Sequence, residues 1–174
     1  MPSSYPENIA PIIQLVAKLK PKTVMDIGFG RGKYGFLLRE YFHPSVEGEW
    51  KPIDKIDGLD VFPEYITEVQ RLIYDEIFVA NALDFDFAQY DLYLIIDALE
   101  HWPKEEAYKL LDNLTKKGNV LVSTPTNIGC QGAAHGNEWE RHVTQWLPKD
   151  FQDRYIIKED WSNDSSFLYI LCSK

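Results

Sequence analysis

The sequence predicts a three-layer α/β fold, in which a mostly parallel sheet carries helices on both faces. Apolar runs of strand length alternate with amphipathic stretches of helix length as far as residue 125. The run at 90–99 is nearly continuous in apolar residues, as expected for a strand covered on both faces. The length of 174 residues and the 45% hydrophobic content fit one folded unit, so we expect 1–174 to form a single domain.

The individual elements follow from apolar spacing and from turn residues. Apolar side chains recur at helical intervals from Ile9 to Leu19, and Pro21 ends this leading helix. The polar, turn-rich segment 43–54 is typical of a surface connection. The alternation predicts strands at 22–28, 55–61, 76–83, 90–99 and 119–125, and helices at 33–42, 63–73 and 103–117.

The pattern changes after Pro125. Residues 126–146 contain three glycines, two histidines and two tryptophans without a clear period, which makes a loop unusually long for a compact domain. We therefore expect 126–150 to form a lid that faces a substrate. Two strand patterns at 154–161 and 165–174, joined by a short polar turn, predict a terminal hairpin.

The segment VMDIGFGRGKYG at 24–35 contains two overlapping glycine patterns. Read from Gly28 it is G-x-G-x-G, and read from Gly30 it is G-x-G-x-x-G, the pattern of dinucleotide sites. In either register the glycines permit a tight turn, and the following helix start offers N–H groups to an anion. Asp26 precedes Gly28 inside the strand end, whereas Asp60 lies 30 residues beyond Gly30, which is long for a dinucleotide site. The pattern D-x-G-x-G-x-G is therefore the better description.

This stretch resembles the first motif of the class I S-adenosylmethionine (SAM) dependent methyltransferases, and further motifs follow in the family's order. Asp60 ends the second strand, where the family places an acid on the ribose hydroxyls. Residues 81–83, Asn-Ala-Leu, stand where the family places residues beside the adenine, although Asp is commoner there than Asn. The family's fourth strand is an apolar run that closes in Glu-His, and here the apolar run at 90–99 closes in the same way, with DALEH at 97–101.

The resemblance spans about residues 22–174 and implies a Rossmann-like sheet of seven strands in the order 3-2-1-4-5-7-6, with strand 7 antiparallel. It also implies SAM as the cofactor. The glycine N–H groups would receive the carboxylate of the donor, Asp26 and the backbone near Asp97 its ammonium, and Asp60 its ribose. The resemblance gives as cofactor-binding residues Asp26, Gly28, Phe29, Gly30, Gly32, Asp60, Val61, Asn81, Ala82, Leu83 and Asp97.

The sequence contains fewer motifs for the residues that would face the acceptor of the methyl group. The stretch HGNEWERHVTQW resembles the segment that covers the donor in many small family members. His101 and His142 are the candidate catalytic residues, and a base is needed only if the acceptor is a hydroxyl or a protonated nitrogen. The residues expected to face the substrate are Trp139, Arg141, His142 and Trp146.

A metal site is not expected. The spacing of His135, Glu138 and His142 would place three ligands on one helical face, but Gly136 and the glycines before it oppose a stable helix. The two cysteines have no metal-ligand spacing and fit a reducing compartment.

The sequence thus predicts a SAM-dependent methyltransferase of a small-molecule or metabolite-like acceptor. Two alternatives stay open: an NAD(P)-dependent oxidoreductase that uses the G-x-G-x-x-G register, and a non-catalytic methyltransferase-like module that acts through protein contacts. The net charge of −9, without a dense Lys or Arg run, disfavours nucleic acid as a partner. Without a membrane span or a secretory signal pattern, we expect no membrane partner and a cytoplasmic location.

Overall fold

The computed structural model describes residues 4–43, 50–134 and 136–174. Seven strands form one mixed sheet of order β3-β2-β1-β4-β5-β7-β6, in which β7 runs antiparallel to both of its neighbours. The predicted strand order and the antiparallel seventh strand are confirmed. The strands are β1 (Thr23–Ile27), β2 (Lys55–Asp60), β3 (Ile77–Val79), β4 (Leu92–Ile96), β5 (Asn119–Pro125), β6 (Ile156–Asp160) and β7 (Ser166–Cys172).

Helices cover both faces of this sheet, which confirms the three-layer prediction. Successive residues of a strand point to opposite faces. Val24 accordingly packs with the apolar side chains of the first two helices, whereas its neighbour Met25 packs with those of the fourth helix. The helices are α1 (Ile9–Leu19), α2 (Lys33–Tyr41), α3 (Glu68–Ile73), α4 (Lys104–Lys117) and α5 (Pro148–Gln152).

The helix predicted at 63–73 is interrupted, because a turn and a new helix cap divide it. Pro63–Tyr65 forms a single 3-10 turn, after which Ile66 is extended. Thr67 then caps α3: its side chain accepts from the N–H of Val69, and the Gln70 side chain accepts from the N–H of Thr67. Hydroxyl residues of this kind favour a cap over a helix interior. The break turns Tyr65 toward the loop after β5.

The strand predicted at 76–83 ends at Val79, four residues early. The side chain of Asn81 accepts from the N–H of Leu83, and its carbonyl accepts from the N–H of Asp84, so the chain turns at this point. Asn side chains stabilise such turns in competition with a strand. The turn leaves Asn81 and Ala82 at the edge of the sheet.

The segment 126–150 returns over the carboxyl ends of the strands. It contains a 3-10 turn at Glu138–Glu140 and the start of α5. The N–H groups of Val143 and Thr144 donate to the carbonyl of Glu100 at 2.8 and 3.1 Å, which anchors the segment beside the end of β4. His135 and residues 44–49 of the predicted connection 43–54 lie outside the described residues. Within the described ranges, no helix combines the length and the apolar character that a membrane crossing requires.

Candidate active site

A cavity of about 660 Å³ opens at the carboxyl edge of the sheet. Its walls come from the loops after β1, β2, β3 and β4, from the segment 126–150 and from the residues before α1. The strand order reverses between β1 and β4, and open α/β sheets bind their ligands at such a reversal. The volume lies within the usual range of ligand pockets, so this cavity is the candidate active site.

Most of the residues that the sequence predicts for a site line this cavity. Those that line it are Asp26, Gly28, Phe29, Gly30, Asp60, Val61, Asn81, Ala82, Asp97, His101, Trp139 and His142. Four do not. Gly32 is the N-cap residue of α2, Leu83 packs against the core, and Arg141 forms a surface ion pair with Glu138 at 2.8 Å.

Trp146 is the fourth, and its position corrects the expectation that it faces the substrate. Its side chain is 0% exposed, and its indole N–H donates to the carbonyl of Leu99 at 3.1 Å. Its ring packs against Tyr108 and Phe151 at centroid distances of 5.3 and 5.2 Å. The indole is therefore a core side chain that holds the segment 126–150 on the domain.

The glycine loop after β1 has the backbone that its three alternate glycines predict. Gly28, Gly30 and Gly32 have φ values of +71°, +57° and +79°, a region that side chains with a Cβ atom disfavour. The N–H of Gly30 donates to a carboxylate oxygen of Asp60 at 2.8 Å, and the other oxygen accepts from the N–H of Phe62 at 2.9 Å. Asp60 thus ties the loop after β1 to the loop after β2. Burial raises its pKa to about 6, although both N–H groups oppose the shift.

Asp26 lies beneath this loop and is only 3% exposed. It accepts a hydrogen bond of 2.7 Å from the hydroxyl of Tyr74. Burial raises the pKa of Asp26 to about 7, while the hydrogen bonds from Tyr74 and from the N–H of Gly35 act in the opposite direction. A Cβ atom on Gly35 would lie 2.4 Å from the Tyr74 ring, so the last glycine of the motif makes room for the partner of Asp26.

We expect Asp26→Asn to change the pH dependence of stability. Because the pKa of Asp26 is about 7 in the folded protein and about 3.8 in a free chain, its ionisation destabilises the fold increasingly from pH 4 to 7. Asn has no such titration. The free energy of unfolding of the variant should therefore rise relative to wild type over this range, and level off above it, in denaturant titrations without ligand. Asp86→Asn, at a fully exposed carboxylate, is the control; a parallel profile for wild type and Asp26→Asn would contradict the assignment.

Asp97 follows β4 with a φ of +49°, unusual for a residue with a side chain. Its carboxylate accepts from the Ser123 hydroxyl and from the N–H of Tyr5. Burial raises its pKa, and the charge of Lys33 opposes that shift. Backbone strain of this kind collects at functional sites, and here it directs a carboxylate into the cavity.

The cavity also brings together two histidines that are far apart in the sequence. The ring centroids of His101 and His142 are 5.0 Å apart. The buried carboxylate of Glu100 accepts from the Thr124 hydroxyl at 3.0 Å. Burial and the charge of Asp97 raise the pKa of Glu100. Burial also lowers the pKa of His101, against the effect of nearby backbone carbonyl groups.

Sequence reasoning missed a second cluster of polar side chains, which lies where the segment 126–150 lines the cavity. The hydroxyl of Tyr65 donates to Glu140 at 2.7 Å, and Asn137 lies within hydrogen-bond distance of the same hydroxyl. Arg31 stacks over the Tyr65 ring at 5.5 Å. All four residues line the cavity. Arg31 lies inside the glycine motif, and Asn137 and Glu140 lie in the stretch that resembles the segment over the donor, but nothing in these local patterns links them to Tyr65. The contact between Tyr65 and Glu140 spans 75 positions and leaves no local pattern.

The sheet order and the cavity at its reversal point define the fold of the class I SAM-dependent methyltransferases. Solved structures that share it include the magnesium protoporphyrin IX methyltransferase of Synechocystis PCC 6803 with bound SAH, at 16% identity, with 96% of this chain and 83% of that chain covered and a TM-score of 0.68. A DhpI–SAH complex matches at 14% identity over 96% of this chain and 85% of that one, with a TM-score of 0.71. The methyltransferase domain of bacterial CtHen1-CN matches at 18% identity over 95% and 97%, with a TM-score of 0.59. No family model and no curated protein matches the sequence.

Proposed function

We propose that the protein is a SAM-dependent methyltransferase whose acceptor is a small molecule or a metabolite-like group. The observation that carries this proposal is the hydrogen bond from Gly30 to Asp60, which unites the glycine loop and the acid of β2 in one cavity. The antiparallel β7 in the order 3-2-1-4-5-7-6 supports it further, since the dinucleotide fold orders its strands 3-2-1-4-5-6. Several neighbours in fold carry SAM or SAH.

The donor fits the polar groups along the cavity. Asp60 still has acceptor capacity for the two ribose hydroxyls, because a carboxylate offers about four lone-pair sites and the loops use two. Asn81 and Ala82 would lie beside the adenine at the sheet edge. The methionine end would reach the glycine loop, where Asp26 and Asp97 supply negative charge for the ammonium.

Methyl transfer from a sulfonium needs little covalent chemistry from the protein. The methyl group passes to the acceptor in an in-line displacement, and a neutral thioether leaves. Rate then depends on positioning and on exclusion of water. We propose that the segment 126–150 is the lid that supplies both, with Trp139 and His142 facing the acceptor and His101 or His142 serving as the base where the acceptor needs one.

The charge of the cavity favours an acceptor that is not a polyanion. The carboxylates of Asp26, Asp60, Asp97, Glu100 and Glu140 line it, against the cations Arg31 and Lys33. Nucleic-acid binding proteins meet a phosphate backbone with clustered Lys and Arg, which two cations among five acidic side chains do not supply. A small neutral or cationic acceptor suits this surface better.

Calorimetry with S-adenosylhomocysteine and, separately, with NADH tests the proposal. We expect 1:1 binding of S-adenosylhomocysteine, a higher Tm in its presence, and no binding of NADH. Gly30→Val should abolish the increase in Tm. The φ of +57° at Gly30 is a strained conformation for a β-branched residue, and the N–H that donates to Asp60 belongs to this residue.

The reverse preference, NADH without S-adenosylhomocysteine, would assign the glycine loop to an oxidoreductase. Binding of neither ligand by a folded protein would overturn the proposal. Gly129→Val is the matched control, since Gly129 also has a positive φ of +58° but a Cβ atom there meets nothing within 4 Å. Its strain should lower the Tm without removing the response to S-adenosylhomocysteine.

A further inference from the structure

One buried carboxylate and two imidazoles form a single cluster in the wall of the cavity. We propose that Glu100, His101 and His142 bind a divalent transition-metal cation. One potential ligand atom from each residue lies within 4.8 Å of the others, the separation expected of groups that surround one ion. The proposal is independent of the donor, because none of these residues holds the glycine loop. With the ion bound, His101 and His142 are its ligands and neither serves as the base.

Two separate elements bring the three residues together. Glu100 and His101 belong to the 3-10 turn Leu99–His101 that follows β4. His142 comes from the segment 126–150, which is fixed to that turn by the N–H groups of Val143 and Thr144 on the carbonyl of Glu100. The geometry therefore rests on backbone hydrogen bonds.

Each of the two imidazoles has its Nδ1 atom at a backbone carbonyl. Nδ1 of His101 lies 3.1 Å from the carbonyl oxygen of Arg141, and Nδ1 of His142 bonds the carbonyl of Ile128. A carbonyl oxygen only accepts, so Nδ1 carries the proton in each ring and the lone pair is on Nε2. Metal-binding histidines typically hold their second nitrogen in this way, which fixes the ring and its tautomer. The hydroxyl of Thr124 orients the carboxylate of Glu100 in the same manner.

The charges of this region favour a bound cation. Glu100 is 1% exposed and lies near Asp97, and burial of carboxylates without a compensating positive charge is costly. Among the described residues, no Lys or Arg forms an ion pair with Glu100. Lys33 acts on Asp97 instead. A divalent ion on Glu100 would supply the missing charge.

The ligand set indicates the class of metal. Two imidazoles with one carboxylate suit zinc, cobalt, manganese or iron better than magnesium or calcium, which prefer oxygen ligands. Three protein ligands leave at least one coordination position for water or for an oxygen of the acceptor. This set differs from the spacing His135, Glu138, His142 weighed in the sequence, since the Glu138 carboxylate lies at the surface with Arg141.

Titration of the full chain with Co²⁺, after treatment with a chelator and in the absence of any donor, tests the site. We expect one Co²⁺ per chain, visible d–d absorption of Co²⁺ with imidazole ligands, and displacement of the Co²⁺ by Zn²⁺. Glu100→Gln, His101→Ala and His142→Ala should each weaken binding by at least about 100-fold, no less than the loss of an outer-shell partner. The control His43→Ala removes an exposed histidine outside the cavity and should leave the titration unchanged.

The outcomes separate cleanly. No Co²⁺ binding by the wild type, or binding that survives all three substitutions, would overturn the proposal and show a hydrogen-bonded cluster without metal. Glu100→Gln preserves the shape and can still accept from Thr124, so its melting curve should confirm a folded protein. Binding of S-adenosylhomocysteine without Co²⁺ would reject only the metal, whereas Co²⁺ without S-adenosylhomocysteine would reject only the donor site.

Discussion

Asp60→Ala should weaken the binding of S-adenosylhomocysteine by at least about 100-fold, or about 2.7 kcal/mol. Hydrogen bonds to a charged acceptor contribute about 1.5–3 kcal/mol each, and the proposed ribose contact uses two. The same change frees the N–H groups of Gly30 and Phe62, which Asp60 now holds at 2.8 and 2.9 Å. Isothermal titration calorimetry gives the affinity directly.

A control must separate the loss of the ribose contact from a general loss of structure. Asp86→Ala removes a fully exposed carboxylate, and it should change neither affinity nor Tm appreciably. Asp60→Asn keeps one acceptor oxygen and should fall between wild type and Asp60→Ala. Equal affinity in all three variants would show that the ribose, and with it the proposed donor, is not held at the end of β2.

The placement of the glycine loop beside Asp60 was predictable because its signals are local. The three glycines, Asp26 and Asp60 occupy fixed positions at the ends of two strands, and parallel strands end at the same edge of the sheet. Strand pattern and motif spacing therefore place them together without knowledge of side-chain contacts. The contact between Gly30 and Asp60 is the direct result.

The cluster of Glu100, His101 and His142 was less predictable, because it depends on contacts between distant parts of the chain. His101 and His142 are 41 positions apart, yet their rings lie at 5.0 Å. The sequence offers each as a separate candidate, and only the return of the segment 126–150 over β4 joins them to Glu100. Strand and helix patterns carry no information on how a long loop folds back.

The two tryptophans of the segment 126–150 show the same limit. Trp139 is 49% exposed and lines the cavity, whereas Trp146 is fully buried. Both stand in polar surroundings without a clear period, so the same role was expected of both. What separates them is α5, whose Phe151 stacks on Trp146 and whose first residue follows it by two positions.

Trp146→Ala should destabilise the protein by about 3–5 kcal/mol, the usual cost of removing a large buried aromatic side chain. The cavity left behind would lie between Tyr108 and Phe151, and the carbonyl of Leu99 would lose its donor. Because a domain of this size has only about 5–15 kcal/mol of stability, the Tm should fall by roughly 10 °C or more. Thermal and urea unfolding without ligand measure the loss.

Trp139→Ala is the matched comparison, since it removes the same side chain from the rim of the cavity. It should lower the free energy of unfolding by no more than about 0.5 kcal/mol, the usual limit for an exposed side chain. Trp146→Phe retains the ring contacts but not the hydrogen bond to Leu99, so its free energy of unfolding should fall by about 1–3 kcal/mol. If instead Trp146→Ala proved as stable as Trp139→Ala, the indole of Trp146 would not hold the segment 126–150 on the domain. The segment 126–150 would then have to be held by its backbone bonds to Glu100 and by the contact between Tyr65 and Glu140.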